Sequence, residues 1–254
     1  MTESSPVSPL AVATAAAREA GALLREHYES DLHINEATAH DIKLEMDVRS
    51  QDLISSRLLA AFPGHSLLGE EGDSGDATSD HEWIVDPIDG TVNYFYGIPH
   101  FCVSIALRIR GELAVGVIYD PMMDELFTAE AGGPALKNGR PIQVSGRSEL
   151  REAMITIGFS KTKESLEAGL ARFSQVADKV KKTRMLGSAA LAMCYVACGR
   201  LDAYIEEQIS LWDVAAGLLI VERAGGRTIL TSHSHEREKY SISVWNGRIP
   251  VEGI

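Results

Sequence analysis

Four carboxylates in this chain stand at the ends of apolar segments rather than on charged helix faces. Glu70 follows His65-Ser66-Leu67-Leu68-Gly69, Asp86 and Asp89 follow Trp83-Ile84-Val85, and Asp213 opens an apolar run that extends to Ala224. Carboxylates are hard ligands that suit Mg²⁺, which keeps several of its waters and takes only one or two carboxylates per site, so four acids match two or three ions. Pro87 fixes φ and withholds a donor, which ends strand pairing and helps splay Asp86 and Asp89 toward one pocket. Gly90-Thr91 comes next, a turn whose backbone amides are free to face an anion. The stretch from Trp83 to Phe95 can therefore hold a hydrated cation and a phosphate side by side.

Each acid also has a plainer reading when taken singly. Asp47 stands where an N-cap would, ahead of an amphipathic helix carrying Val48, Ile54, Leu58 and Phe62. Asp213 falls in the first turn of its helix, where the macrodipole favours negative charge. Glu70-Glu71 reads as a solvated turn, although adjacent glutamates repel one another and a cation would relieve that cost.

The elements that must position these groups follow from apolar spacing. Val12, Ala16, Ala20, Leu23 and Leu24 predict a packing helix from Pro9 to about Glu29, capped by Ser8. Alternation around residues 41–46 suggests a short strand or hairpin, and Pro63-Gly64 ends the second helix. His65 to Gly69 and Trp83 to Ile88 read as strands, and Phe101 to Ile109 with Leu113 to Tyr119 reads as a hairpin. A strand near residues 125–128 and a tight Asn138-Gly139 turn before Ile142-Gln143-Val144 complete an antiparallel block. Beyond about residue 150 strands and helices alternate: strand 153–157, helix 165–180, strand 183–186, helix 188–198, strand 201–205 reaching Glu206, helix 212–224, and strands 227–230 and 241–245. A boundary near 148 divides an N-terminal α+β lobe, 1–148, from a C-terminal α/β lobe, 149–254.

Composition narrows the class. The 254 residues, 45% hydrophobic and 24% charged, suit a soluble globular protein with a large core. With 24 basic and 36 acidic residues the net charge is −12, which argues against general binding to nucleic acid or anionic membrane. Cys102, Cys194 and Cys198 are an odd number in apolar surroundings, so a disulfide framework is not expected and a reducing cytoplasm fits. Cys194 and Cys198 lie one helical turn apart but have no further ligand at metal spacing, and read as core residues. The N-terminal residues show neither a basic region nor a long apolar run, so neither export nor a membrane span is expected. No G-x-G-x-x-G follows a first strand, which sets aside a dinucleotide-binding fold.

Three motifs occur in order: Gly69-Glu70-Glu71, Trp83 to Tyr94 in the form W-x-x-D-P-I-D-G-T-x-N-Y, and Trp212-Asp213-Val214-Ala215-Ala216-Gly217. With Asp47, Asn138-Gly139, Gly187-Ser188-Ala189-Ala190 and Glu206, they resemble the inositol monophosphatase family of Mg²⁺-dependent, Li⁺-sensitive phosphatases, over roughly residues 10–246. The resemblance implies a five-layer αβαβα sandwich of the type shared with fructose-1,6-bisphosphatase, and a homodimer. It implies one Mg²⁺ on Glu70, Asp86 and the Ile88 carbonyl, a second on Asp86, Asp89 and Asp213, and a third mainly on Glu70 and water. Catalytic roles fall to Glu70 and to Thr91 hydrogen-bonded to Asp47, which would orient and help deprotonate the attacking water; no histidine base is needed. Asp89, Gly90 and Thr91 would meet the phosphate, while Gly187, Ser188, Ala189, Glu206 and Asp213 would meet the rest of the substrate.

The leading expectation is a phosphomonoesterase acting on inositol monophosphate or a similar small polyol phosphate. Fructose-1,6-bisphosphatase or dual-specificity sugar phosphatase activity is the alternative, ahead of histidinol phosphatase, 3′-phosphoadenosine nucleotide phosphatase or a silent binding protein. Many family members carry a hairpin lysine about five residues before the position of Asp41; here Glu36 stands there and Lys43 is the nearest cation. The loop between residues 70 and 83 is short, and no obvious final helix follows Asn246.

Overall fold

The computed structural model describes residues 7–37, 42–159, 162–232 and 238–250. Asp41, part of the expected hairpin, lies outside these residues. The chain begins with helix α1 (Pro9–His27), the strand pair β1 (Ile34–Ala37) and β2 (Ile42–Leu44), and helix α2 (Glu45–Ala61). Strands β3 (Ser66–Gly69), β4 (Ser74–Gly75) and β5 (His81–Asp89) follow, then the short helix α3 (Thr91–Phe95). Next come β6 (Cys102–Ile109), β7 (Glu112–Asp120), β8 (Glu125–Glu130), β9 (Leu136–Lys137) and β10 (Arg140–Pro141). The second half runs β11 (Met154–Ile157), α4 (Lys163–Val176), β12 (Lys182–Arg184), α5 (Ala189–Ala197), β13 (Ala203–Ser210), α6 (Leu211–Arg223), β14 (Arg227–Ser232) and β15 (Lys239–Trp245).

Eight strands form one sheet in the order β10-β9-β8-β7-β6-β5-β3-β4, and five form another in the order β12-β11-β13-β15-β14. Helices α1 and α2 pack on the outer face of the larger sheet, α5 and α6 lie between the two sheets, and α4 packs on the smaller one. The result is the layered α/β sandwich expected from the resemblance.

Small residues set the layer spacing. A side chain at Gly116 of β7 would come within 2.7 Å of the Ala216 carbonyl of α6, and one at Gly217 within 2.6 Å of Met193 Sδ on α5. The Ala-Ala-Gly run after Trp212-Asp213 thus lets α6 lie directly on both neighbours, which fixes where the helix start projects. The stripe of α1 that buries is Ala13, Ala16, Ala17, Ala20 and Leu24, rotated from the expected one; Val12 and Leu23 sit at its edges. Alanines permit the closer approach, and Gly21 passes 2.6 Å from the Tyr119 ring when a Cβ is placed on it.

Three local expectations are corrected. Asp47 is the third residue of α2 rather than its N-cap: Leu44 holds the cap position, and Asp47 Oδ2 reaches back to accept its N–H at 2.7 Å. Helix α4 starts at Lys163 with Thr162 as cap, because the Thr162 hydroxyl accepts the Ser165 N–H and the Ser165 hydroxyl returns the contact. After the Asn138-Gly139 turn, whose φ values of 48° and 74° match a primed hairpin turn, only Arg140 and Pro141 pair as a strand. Ile142 and Val144 instead donate singly to the Ala135 and Ala224 carbonyls.

Candidate metal and phosphate site

Strand β5 is buried from Trp83 through Asp89 and delivers its two aspartates at the rim of the sheet. The ladder to β6 breaks between Asp86 and Asp89, where Pro87 interrupts it, so both acids leave the strand on the same side. Asp213, in the first turn of α6, meets them there. Ligand oxygens of Asp86, Asp89 and Asp213 all lie within 4.8 Å of one another, with both Asp86 and Asp89 buried. Glu70, at the end of β3, is placed beside them by its N–H to the Val85 carbonyl at 3.2 Å and lines the same cavity.

Such a cluster is electrostatically unfavourable without a cation. Burial pushes Asp86 well above the ordinary carboxylate range, with the charges of Glu70, Asp213 and Asp89 adding to the effect. Burial and then Asp213 push Asp89 up to about 7, against the opposing hydrogen bonds it accepts. Those bonds are specific: the Ser188 hydroxyl at 2.5 Å and the Ala190 N–H at 2.7 Å reach Oδ2, and the Ala189 N–H at 3.2 Å reaches Oδ1. Helix α5 therefore holds Asp89 by its first turn, an orientation that favours the ionised form. The donor set is all oxygen and its acids crowd one another, which fits one or more hard divalent cations.

Thr91 begins α3 next to this cluster. Its hydroxyl lies 3.2 Å from Asp47 Oδ1 and 2.9 Å from the Ile88 carbonyl. Burial above all pushes the Asp47 carboxyl up to about 7, with Glu71 adding and the Leu44 and Thr91 hydrogen bonds opposing. A hydroxyl has one proton to give, so Thr91 donates to one of the two acceptors, the Asp47 carboxylate or the Ile88 carbonyl, at a time. Gly90 adopts φ of 99°, and a Cβ there would lie 3.0 Å from the His100 carbonyl. Only glycine fits this left-handed turn, which brings the chain from β5 into α3 over the acids.

The remaining expected residues line the same cavity of about 280 Å³, which includes Gly187, Ser188, Ala189 and Glu206 as well as Glu70, Asp86, Ile88, Asp89, Gly90, Thr91 and Asp213. Asn93 ties the Gly90-Thr91 turn to the far wall by donating to the His100 carbonyl at 2.8 Å and the Leu186 carbonyl at 2.9 Å. A family model, the inositol monophosphatase family, matches residues 6–248. The chain belongs to that family. It is 42% identical over 224 residues to inositol monophosphatase 3 of Solanum lycopersicum, covering 85% of this chain and 84% of the relative. It is 43% identical over 216 residues to the Nus factor SuhB of Xylella fastidiosa, covering 83% and 78%. The solved inositol monophosphatase of Anabaena (Nostoc) sp. PCC 7120 superposes with a TM-score of 0.80 at 39% identity, covering 94% of this chain and 90% of that one.

Several residues that support the family motifs went unnoticed in the sequence. Gln51 accepts the Glu71 N–H and donates to the Gly72 carbonyl, each at 2.9 Å, so it threads the Gly-Glu-Glu turn. A Cβ on Gly69 would lie 2.4 Å from its amide oxygen, which explains the glycine. Ser50 donates to the Pro87 carbonyl at 3.1 Å. The signal was present: Asp47, Ser50 and Gln51 occupy the buried stripe that continues through Ile54 and Leu58, where apolar residues belong. Lys43 faces Glu36 across the β1–β2 pair and ion-pairs with Glu71 at 3.3 Å. On the opposite wall Tyr204 donates to Glu206 Oε2 at 2.6 Å, and Gly158 leaves the room that this carboxylate needs.

Proposed function

We propose that this member of the inositol monophosphatase family is a Mg²⁺-dependent phosphomonoesterase that hydrolyses inositol monophosphate or a similar small polyol phosphate. The observation that carries the reading is the convergence of Asp86, Asp89 and Asp213 within 4.8 Å beside the Gly90-Thr91 turn. Glu70, Asp86 and the Ile88 carbonyl would hold one ion, Asp86, Asp89 and Asp213 a second, and Glu70 with water a third. When bound, the ions supply Lewis acidity at the phosphoryl oxygens and lower the pKa of bound water. The chain's own groups do the rest. Gly90 and Thr91 amides meet the phosphate oxygens, a placement that stabilises developing charge. Thr91 Oγ1 orients the attacking water and passes its proton toward Asp47 Oδ1, a group poised near neutrality as a general base should be. Glu206, with Gly187, Ser188 and Ala189 on the same wall, accepts hydrogen bonds from substrate hydroxyls.

A fructose-1,6-bisphosphatase or dual sugar phosphatase is the alternative within the same chemistry. Some relatives are named Nus factor SuhB; the convergence of Asp86, Asp89 and Asp213 supports the catalytic reading for this chain. Among the described residues no helix is long and apolar enough to cross a membrane. A cytoplasmic homodimer inhibited by Li⁺, built of lobes 1–148 and 149–254, completes the proposal. The test is hydrolysis of a panel of phosphate esters, inositol 1-phosphate among them, with and without Mg²⁺. Release of phosphate that needs Mg²⁺ is expected. A folded protein that binds Mg²⁺ and cleaves none of the panel overturns the reading.

A further inference from the structure

Exposed apolar side chains need no explanation when they are scattered, and mark a binding surface when they gather beside a cavity. Val92 on α3, Tyr96 at its C-cap, Ile98 just beyond and Met185 just after β12 are 39%, 68%, 49% and 68% exposed. Val92 and Met185 also line the cavity that holds the acids. Asn93 brings them to one rim: it follows Val92 in the chain and donates to the carbonyl of Leu186, the neighbour of Met185, at 2.9 Å. The same residue fixes the outer part of the patch, because its own carbonyl accepts the Ile98 N–H at 2.8 Å. The Val92 carbonyl accepts the Tyr96 N–H at 3.1 Å, one helical turn on, so these two side chains leave the chain on the same face.

This rim differs chemically from the rest of the cavity. Glu206, Gln208, Ser210 and Lys239 give the β13–β15 side polar groups that can meet substrate hydroxyls. Val92 has no polar atom, and the Met185 thioether is only a weak acceptor. A leaving group made of hydroxyls alone therefore leaves both facing water. An apolar substituent would cover them, and each methylene it buries strengthens binding. Met185 suits that role, since its unbranched, polarisable side chain adapts to ligands of different shape. Continuity between patch and cavity identifies the occupant. A substituent carried outward along this rim passes Val92 and Met185 and then reaches Tyr96 and Ile98, whereas a second copy of the chain seated on the same side chains would stand over the rim of the site.

We infer that Val92, Tyr96, Ile98 and Met185 form an apolar lip that receives a hydrophobic substituent on the leaving group, so that this enzyme favours phosphate esters carrying an apolar tail over bare polyol phosphates of the same chemistry. The inference rests on the phosphomonoesterase reading and names a substrate class for that site. Met185 is the specificity residue at its centre, with Tyr96 and Ile98 extending the lip outward.

Phenyl phosphate and 4-hexylphenyl phosphate isolate the tail, because their phenol leaving groups have nearly the same acidity. Both are assayed with Mg²⁺ beside inositol 1-phosphate, below the concentration at which the hexyl ester forms micelles. Wild-type protein is expected to show a kcat/KM at least about tenfold higher for the hexylphenyl ester, through KM, as partial burial of the added methylenes gives. In Met185→Gln that ratio should fall about threefold or more, Tyr96→Gln should lower it by less, and Met185→Leu should keep it. A wild-type ratio near one overturns the inference, and a dimer that dissociates in Tyr96→Gln would then assign the patch to a second copy. So does a ratio left unchanged by Met185→Gln. Failure of the underlying reading looks different: the folded wild-type protein then cleaves none of the three esters, inositol 1-phosphate included, and the inference falls with it.

Discussion

The two halves of the candidate site are built by different means. The half at the end of β5 is buried and over-determined: Asp89 accepts three hydrogen bonds from residues 188–190, Asp47 is pinned by the Leu44 N–H, and Gln51 braces the Gly-Glu-Glu turn on both sides. The half formed by β13, α6 and β15 rests on a bulge, a left-handed Gln208, and side chains such as Glu206, which accepts the Tyr204 hydroxyl. Rigid presentation of acids suits a step in which charge must be met without reorganisation. An adjustable wall suits discrimination, where a few contacts can change between relatives while the chemistry stays the same.

The comparison breaks most sharply at Asp213, which belongs to both halves. Asparagine at this position keeps an oxygen to accept the Ser210 N–H, now at 2.9 Å, and removes the charge. Turnover should fall about 1,000-fold or more, the scale expected when a charge-stabilising group is lost from a reaction centre. The melting temperature of the metal-free protein should hold or rise, because one of the like charges crowding Asp86 and Asp89 disappears. Steady-state kinetics and thermal denaturation read the two effects separately. An active Asp213→Asn enzyme would remove this residue from the metal centre.

Next in size is the response of the buried half to pH. Asp47 and Asp89 are pushed up to about 7, and Asp86 well above its ordinary value, whereas carboxylates in the unfolded chain titrate near 4. Between about pH 4 and pH 7 the native state thus binds more protons than the unfolded one. These acids contribute stability at low pH that is lost as the pH rises through about 7. Divalent cations compete with those protons, so Mg²⁺ should raise the melting temperature more at pH 8 than at pH 5. His65 and His100, held below their ordinary values by burial, act in the opposite sense on acidification. The informative quantity is therefore the Mg²⁺-dependent increment at each pH. Equal increments at the two pH values would mean that these carboxylates do not bind the ion.

Legibility in the sequence follows the same division. The β5 half is contiguous in the chain, so Asp86, Asp89, Gly90 and Thr91 could be read together from one apolar run ending in a turn. The wall was legible only where a short motif reached it, as at Glu206 and Asp213. Gly158, Tyr204, Ser210 and Lys239 meet through strand pairing of β11, β13 and β15, and no local pattern reports a register or a bulge. Most strands and helices were read within a few residues because their apolar spacing is strong. Two of the three corrected expectations lie at helix starts, since from spacing alone an acid at the third helical position is indistinguishable from one at the cap. The polar residues Ser50 and Gln51 on the buried stripe of α2 were the overlooked clue: Gln51 braces the Gly-Glu-Glu turn and Ser50 holds the Pro87 carbonyl.

The smallest of the three effects sharpens the assignment of the wall. A methyl group on Gly158 would fall 1.6 Å from Glu206 Oε2, too close for both to remain. Gly158 donates its N–H to the Ile205 carbonyl at 2.9 Å, so the backbone there is held by β13 and the carboxylate must give way. Gly158→Ala should swing Glu206 off the Tyr204 hydroxyl and away from the position where a polyol hydroxyl would meet it. The loss of one hydrogen bond to a charged acceptor corresponds to roughly a tenfold rise in KM for inositol 1-phosphate. A flat aryl phosphate offers no hydroxyl to that wall, and its KM should change by less than about twofold, with kcat for both esters set by the β5 half. Equal losses on both substrates would place Glu206 with the acids of the reaction centre rather than with the polyol, and the division between the two halves would have to be redrawn.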